Sequence, residues 1–327
     1  MKELNVGKND AGQRLDRFIT KVLPLLPAGL LQKFIRTKRI KVNGKAANSD
    51  ERVSEGDTVQ LYIKDEFFKR SGEENAYLKI FSPELRFVYE DENILLADKR
   101  PGVLCHSNGR GEACDTLIAN IQAHCRSKGD WIPRDENSFA PALCNRIDRN
   151  TGGIVIAAKN AKSLRIMNEK IRGRELGKYY LCAVHGAPEP KEGTLKDYIL
   201  KDQRTNQVSV QDKTFPGAKE AVTEYRTIQA KNGLSLLECR LLTGRTHQIR
   251  AQLAAIGTPL LGDRKYGPAS AKRKDGEKYQ ALYSYRLSFD FQTDAGMLNY
   301  LKGRQFFVSN VDFVEKYFDW HFPVDIQ

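Results

Sequence analysis

The run Gly152-Gly153-Ile154-Val155-Ile156-Ala157-Ala158 constrains this chain most. An apolar stretch of this kind, entered from a Thr-Gly-Gly turn, reads as a buried strand. Immediately before it stands Asn145-Arg146-Ile147-Asp148-Arg149-Asn150, one acidic residue between two arginines. Adjacent guanidinium charges favour the ionised form of an aspartate, and a loop beside a rigid strand can present it to a bound substrate. Asp148 is therefore a candidate nucleophile. The plainer alternative is that it pairs with an arginine or caps its own turn.

A chain of 327 residues with 40% hydrophobic content suits two domains with ordinary cores. No apolar run approaches the ~20 residues needed to span a membrane, and Met1-Lys2-Glu3-Leu4-Asn5 lacks the apolar segment of a signal peptide. A cytoplasmic location without membrane contact is the default expectation. The six cysteines form no CxxC pair and no His-spaced pattern, which argues against a zinc site and a disulfide framework. The net charge of +12 calls for an anionic partner, and without membrane features that points to nucleic acid.

Residues 1–64 form a first unit. Leu15, Phe18, Ile19 and Val22 fall at i, i+3, i+4 and i+7, one face of a helix that Pro24 and Pro27 end. A second short helix follows, with Leu30, Leu31, Phe34 and Ile35 on its apolar side. Its other side and the residues just beyond are basic: Lys33, Arg36, Lys38, Arg39 and Lys41. Ile40 to Lys45 reads as a strand entering an Asn-Gly turn, and Thr58 to Ile63 as a closing strand. Together with Arg14-Leu15-Asp16 and Glu55-Gly56-Asp57, this pattern resembles the S4 RNA-binding domain. The resemblance implies that the basic helix and its neighbours lie on structured RNA, contributing affinity and positioning through phosphates. The alternative is a helical cap whose basic side chains are simply solvated. Residues 65–78 are polar and aperiodic, a linker.

Residues 79–327 form the second unit. Phe87-Val88-Tyr89 and Ile94 to Ala97 read as a hairpin, 126–138 as an exposed polar loop with possible RNA contact, and 160–174 as a helix. In the strand Lys178 to Val184, alternation puts Tyr180, Cys182 and Val184 on one face. A strand at 236–242 ends in a Thr-Gly turn and starts a helix bearing Ile249, Leu253 and Ile256, stopped by Gly257. The aromatic tail Phe313, Tyr317, Phe318, Trp320 and Phe322 is expected to pack on this unit.

Arg146 to Gly153 resembles the "(H)RLDxxTSG" signature of the RluA-type pseudouridine synthases, with Asn145 for His, Ile147 for Leu and Gly152 for Ser. Lys99 to His106 resembles that family's "KPxGxxxH", with Arg100 beside Lys99. Lys178 to Ala183 is similar to "KxYxA", and Thr243 to Arg250 is the segment "TGRTHQIR". Pro259 to Gly267 follows "P-(I/L)-x-GDxxYG", and Ala281 to Phe289 fits "LHAxxLxF" with Tyr283 for His. The chain is thus identified as a member of the RluC/RluD kind of this family. The resemblance implies an α+β fold: a small S4 module, then a mixed, mainly antiparallel sheet with flanking helices. It also implies isomerisation of uridine in RNA to pseudouridine, most simply in 23S ribosomal RNA, by a monomer with no cofactor and no metal. Asp148 is then the catalytic residue, Tyr180 the ring that stacks on the target base, and Arg245 the salt-bridge partner of Asp148, with Arg250 a lesser candidate. His247 and Gln248 would fix their turn, His106 would be structural, and Arg146 and Arg149 would join the S4 residues in contacting RNA. Two rivals stand beside this reading. A non-catalytic S4-type or ribosome-associated factor would not need Asp148, Tyr180 and Arg245 together, and a metal-dependent nuclease would want converging carboxylates.

Overall fold

The computed structural model describes residues 1–68, 72–109, 113–202, 205, 207–267 and 276–321. Its amino-terminal unit comprises β1 (Lys2–Asn5), α1 (Leu15–Val22), α2 (Ala28–Arg36), β2 (Ile40–Val42), β3 (Lys45–Ala46) and β4 (Thr58–Leu61). The apolar spacing dictates both helices: α1 buries Leu15, Phe18, Ile19 and Val22, and α2 buries Leu31, Phe34 and Ile35. Asn43 and Gly44 take φ of 51° and 76°, the left-handed pair that a two-residue hairpin turn requires. The strands pair in the order β1-β4-β2-β3. β1 has no apolar alternation to announce it, since its ladder with β4 supplies the order that its side chains do not.

Asp65–Phe68 and Gly72–Lys79 wind into short 3₁₀ turns, and Tyr77 packs edge-on against buried Trp131, their ring centroids 4.9 Å apart. The polar stretch 126–138 is mostly exposed, as expected, and its end also joins the two units. Asp10, fully buried, accepts hydrogen bonds from Ser138 N at 3.1 Å, Ser138 Oγ at 2.6 Å and Asn137 Nδ2 at 2.8 Å. A buried carboxylate needs donors, and this polar loop provides them. Arg165 Nη1 reinforces the contact by donating to Ala11 O at 2.7 Å.

The larger unit runs β5 (Phe87–Glu90), β6 (Ile94–Lys99), α3 (Leu117–Lys128), β7 (Ala142–Leu143), β8 (Gly152–Ala158), α4 (Ala161–Arg172), β9 (Leu176–His185) and β10 (Glu192–Lys201). It continues through β11 (Val208–Gln211), β12 (Lys219–Lys231), β13 (Leu234–Leu241), α5 (Gln248–Ala255), β14 (Leu282–Phe289), β15 (Gln305–Phe307) and α6 (Asp312–Tyr317). Its sheet has the order β11-β10-β12-β13-β9-β14-β8-β6-β5, with β15 beside β14 and β7 beside β8. Among the described residues every pairing in it is antiparallel except β14 with β8.

All seven residues of β8 are buried because both faces of the sheet are covered there. Ile154 and Ile156 pack with Leu181, Met167 and Phe289, while Val155 and Ala157 pack with Ile121 and Trp131. α3 had no clear sequence signature. Its buried face includes Ala119, Ala123 and Cys125, small residues that blur the apolar period. The aromatic tail packs as expected, with Phe313 and Phe318 buried in the core and Tyr317 and Trp320 against it, while Phe322 lies outside the described residues. Among the described residues no helix is long and apolar enough to cross a membrane.

Candidate active site

Asp148 sits on the loop between β7 and β8, and that loop is anchored residue by residue. Thr151 N donates to Asp148 O at 3.1 Å, which closes the turn, and Ile156 N donates to Asn145 Oδ1 at 2.8 Å. Gly153 has φ 110°, and a side chain there would meet Ser284 O at 2.2 Å, so only glycine lets β8 lie alongside β14. Behind the loop, the buried Lys99 ammonium donates to three carbonyls: Val103 O at 2.8 Å, Arg149 O at 2.9 Å and Arg100 O at 3.1 Å. Burial pulls its pKa down to about 8, against the opposing pull of Cys105 and Asp148. The Lys99 to His106 segment thus carries the clamp on the residue next to Asp148.

The second half of the site is the turn from β13 into α5. Gln248 pins it from within: its Oε1 accepts from Thr243 Oγ1 at 2.8 Å and Arg245 N at 2.9 Å, while its Nε2 donates to Val222 O and Thr223 Oγ1. One turn into α5 stands Arg250. Its Nη1 donates to Asp148 Oδ2 at 2.8 Å, and its Nε and Nη2 form a fork onto Asp263 at 2.7 and 3.0 Å. Asp263 also accepts from Lys265 N and Tyr266 N, so the far end of the fork is itself fixed. Burial alone would lower the Arg250 pKa, but the hydrogen bonds and charges of Asp263 and Asp148 outweigh it and raise it.

This corrects the expectation that Arg245 would pair with Asp148. Arg245 Nε donates instead to Glu220 O at 2.9 Å. Its place in the turn points it at β12, whereas the helical position of Arg250 sets it between two carboxylates. His247, expected only to fix its turn, reaches across the site. Its Nδ1 is 2.8 Å from Tyr266 Oη and its Nε2 is 3.8 Å from Asp148 Oδ2. Burial pushes its pKa down to about 4, with Asp148 pulling the other way.

Asp148, His247, Gln248 and Arg250 line a cleft of about 1430 Å³ that also takes in Tyr180, Arg146, Arg149, Arg245 and His106. Among the described residues its wall carries eight arginines and four lysines, and one acidic side chain, Asp148. Tyr180 projects from β9 with only 6% of its surface exposed, packed with Cys182 and Leu237. Burial pushes its phenol up to about 12, so the ring is neutral. On the amino-terminal unit Lys33, Arg36, Lys38 and Arg39 are exposed and Lys41 half-buried. None of the five makes an ion pair among the described residues. Arg39 lies over Phe34 and Lys41 over Tyr62.

The sequence profile described as RNA pseudouridylate synthase matches residues 93–255, and the S4 domain profile matches residues 13–59. The Mycoplasma pneumoniae protein named "uncharacterized RNA pseudouridine synthase MG370 homolog" is 35% identical over 279 residues, 84% of each chain. The chain belongs to the RNA pseudouridine synthase family. The synthase is also 31% identical, over 81% of its own length and 80% of the relative's, to the ribosomal large subunit pseudouridine synthase C of Buchnera aphidicola. Its fold is that of human RNA pseudouridylate synthase domain containing 1, with a TM-score of 0.52 at 20% identity over 72% of this chain and 94% of the other. The protein is therefore an isomerase that converts uridine in RNA to pseudouridine, with an S4 domain that binds RNA.

Chain order alone ranks Arg250 behind Arg245 in the synthase's site and leaves Asp263, Tyr266 and Lys99 as parts of motifs without a role of their own. The signal available was the "GDxxYG" segment at Gly262 to Gly267, whose polar residues lie close in sequence to α5.

Proposed function

We propose that the synthase acts on uridines of large-subunit ribosomal RNA, with Asp148 as the catalytic carboxylate. The observation that carries this is the charge pattern of the cleft among the described residues: twelve cations to draw in a polyanion, eight arginine and four lysine, around the single carboxylate of Asp148. Arg250 occupies one oxygen of that carboxylate, and Oδ1 has no partner among the described residues. The Asp148 side chain is 27% exposed, so a reacting group can approach it.

In the reaction the bond from N1 to C1′ breaks and a bond from C5 to C1′ forms. One proton leaves C5 and one is taken up at N1, so no oxidant or external group enters. Asp148 attacks the ribose or the uracil, or takes a proton from the sugar. The base must leave its stack to reach the cleft, and Tyr180 offers the neutral ring against which it rests. Arg250 holds Asp148 in its rotamer. Residues 1–64, through Lys33, Arg36, Lys38, Arg39 and Lys41, hold the RNA by its phosphates, 65–78 join the units, and 79–327 carry the chemistry, with Arg146 and Arg149 at the rim of the cleft. The name of the Buchnera relative supports ribosomal RNA of the large subunit as the substrate.

The test maps pseudouridine by carbodiimide labelling and primer extension in RNA from cells with and without the gene, complemented by wild type or Asp148→Asn. A large-subunit site should vanish and return only with wild type. Restoration by Asp148→Asn would remove Asp148 from its role, and a lost site in transfer RNA alone would overturn the substrate.

A further inference from the structure

Resting on the reading of Asp148 as the catalytic carboxylate, we propose that His247 is a positioning residue: an imidazole whose Nε2 proton, fixed in place by Tyr266, supports the same Asp148 oxygen that Arg250 holds. The first observation is the backbone. His247 has φ 54° and ψ 23° at the start of α5, a left-handed conformation that glycine or asparagine adopts more readily than most residues. That turn sends the imidazole inward, where its side chain is only 8% exposed.

The second observation is a proton count. Tyr266 Oη accepts from Val208 N at 3.0 Å and lies 2.8 Å from His247 Nδ1. A phenol has one proton to give, and giving it to Nδ1 satisfies both groups. The opposite assignment leaves a half-buried hydroxyl proton without a partner among the described residues. The imidazole proton then sits on Nε2, the nitrogen that faces Asp148 Oδ2 at 3.8 Å. The ring is held edge-on to Tyr266, centroids 5.6 Å apart. A movement of about 0.8 Å would bring Nε2 to hydrogen-bond distance.

The charged groups around the ring are Asp148 and Asp263 on one side and Arg250 and Lys265 on the other, and burial keeps the imidazole neutral between them. A neutral donor adds direction without a second cation. With two donors on Oδ2, Asp148 cannot swap its oxygens, and Oδ1 is the one presented to the nucleotide. The support runs from β11 through Tyr266 and His247 to Asp148, and it meets the Arg250 to Asp263 fork at Tyr266, whose N donates to Asp263.

The test compares His247→Gln, His247→Asn, Tyr266→Phe and Asp148→Asn in the full chain. The readout is tritium release from total RNA labelled at uridine C5 in cells lacking the gene, with thermal melts as the fold control. A merely structural role favours Asn, which suits the left-handed backbone. A positioning role favours Gln, whose amide reaches where Nε2 does. We expect His247→Asn to lose about 10- to 100-fold in kcat, the scale of one hydrogen bond to a charged acceptor, with KM within about twofold. His247→Gln should recover most of that loss although its backbone is less suited, and Tyr266→Phe should lower kcat with KM unchanged. His247→Asn equal to or better than His247→Gln, with Asp148→Asn inactive, overturns this inference alone. An active Asp148→Asn overturns the reading beneath it.

Discussion

Gly152 and Tyr283 are two of the places where this sequence departs from the family's motifs, and the structure puts them face to face. They are register partners in the one parallel pairing described for the sheet, β14 with β8. In Gly152→Ala the new Cβ would lie 2.2 Å from Tyr283 Cε2 and 2.6 Å from Cδ2. Reaching an ordinary carbon contact would require a displacement of about 1.5 Å. The ring is 7% exposed, and its hydroxyl donates to Asp98 Oδ1 at 2.7 Å, a carboxyl whose pKa burial raises. It cannot swing aside without giving up that bond. Overpacking costs about 1 to 3 kcal/mol and a lost buried hydrogen bond about as much, so the expected destabilisation is about 2 to 5 kcal/mol. Because Gly152 lies four residues after Asp148, activity should fall with it. Urea unfolding measures the first effect and tritium release the second. The sharper experiment restores the family's residues, Gly152→Ser with Tyr283→His. The smaller ring leaves room for the side chain, so the double variant should be more stable than the two single losses predict, by about 1 kcal/mol or more. Additivity within about 0.5 kcal/mol would refute the argument that the two departures compensate each other.

Two further outcomes follow from the site. Arg250→Met should cost about 3 to 5 kcal/mol in urea unfolding, because it strands the fully buried Asp263 carboxylate, whereas Arg245→Met should cost less than about 1 kcal/mol; equal losses would refute the assignment of the fork to Arg250. Lys99, at about 8 in the fold against about 10.4 for an exposed lysine, sheds its proton first in the folded chain. From pH 8 to about 10.4 the unfolded chain then binds more protons, so this group's contribution to stability rises with pH. Activity should nonetheless fall as pH rises through about 8, since a neutral amine retains two donors for three carbonyls. A pH profile with no alkaline limb near 8, or one that persists unchanged in Lys99→Met, would refute the clamp.

What could be read in advance was whatever one element encodes within itself. The i, i+3, i+4, i+7 spacing of Leu15, Phe18, Ile19 and Val22 specifies α1, Asn43-Gly44 specifies a left-handed turn, and the unbroken run Ile154 to Ala158 demands a strand covered on both faces. Asp148 stood out because its charge neighbours are its chain neighbours. β1 escaped because its order comes from β4, and α3 because alanines and a cysteine make up much of its buried face. The loop at Asn137 and Ser138 looked free because its partner, Asp10, is more than a hundred residues away. The choice between Arg245 and Arg250 shows the division most plainly. Both belong to one motif, carry the same guanidinium, and lie five residues apart. The sequence determined that an arginine would be at hand for Asp148. Only the tertiary structure decided which one, because the answer depends on Asp263 arriving from beyond α5 to hold the other end of Arg250, and a charge pair is set by distance in space, which chain order does not record.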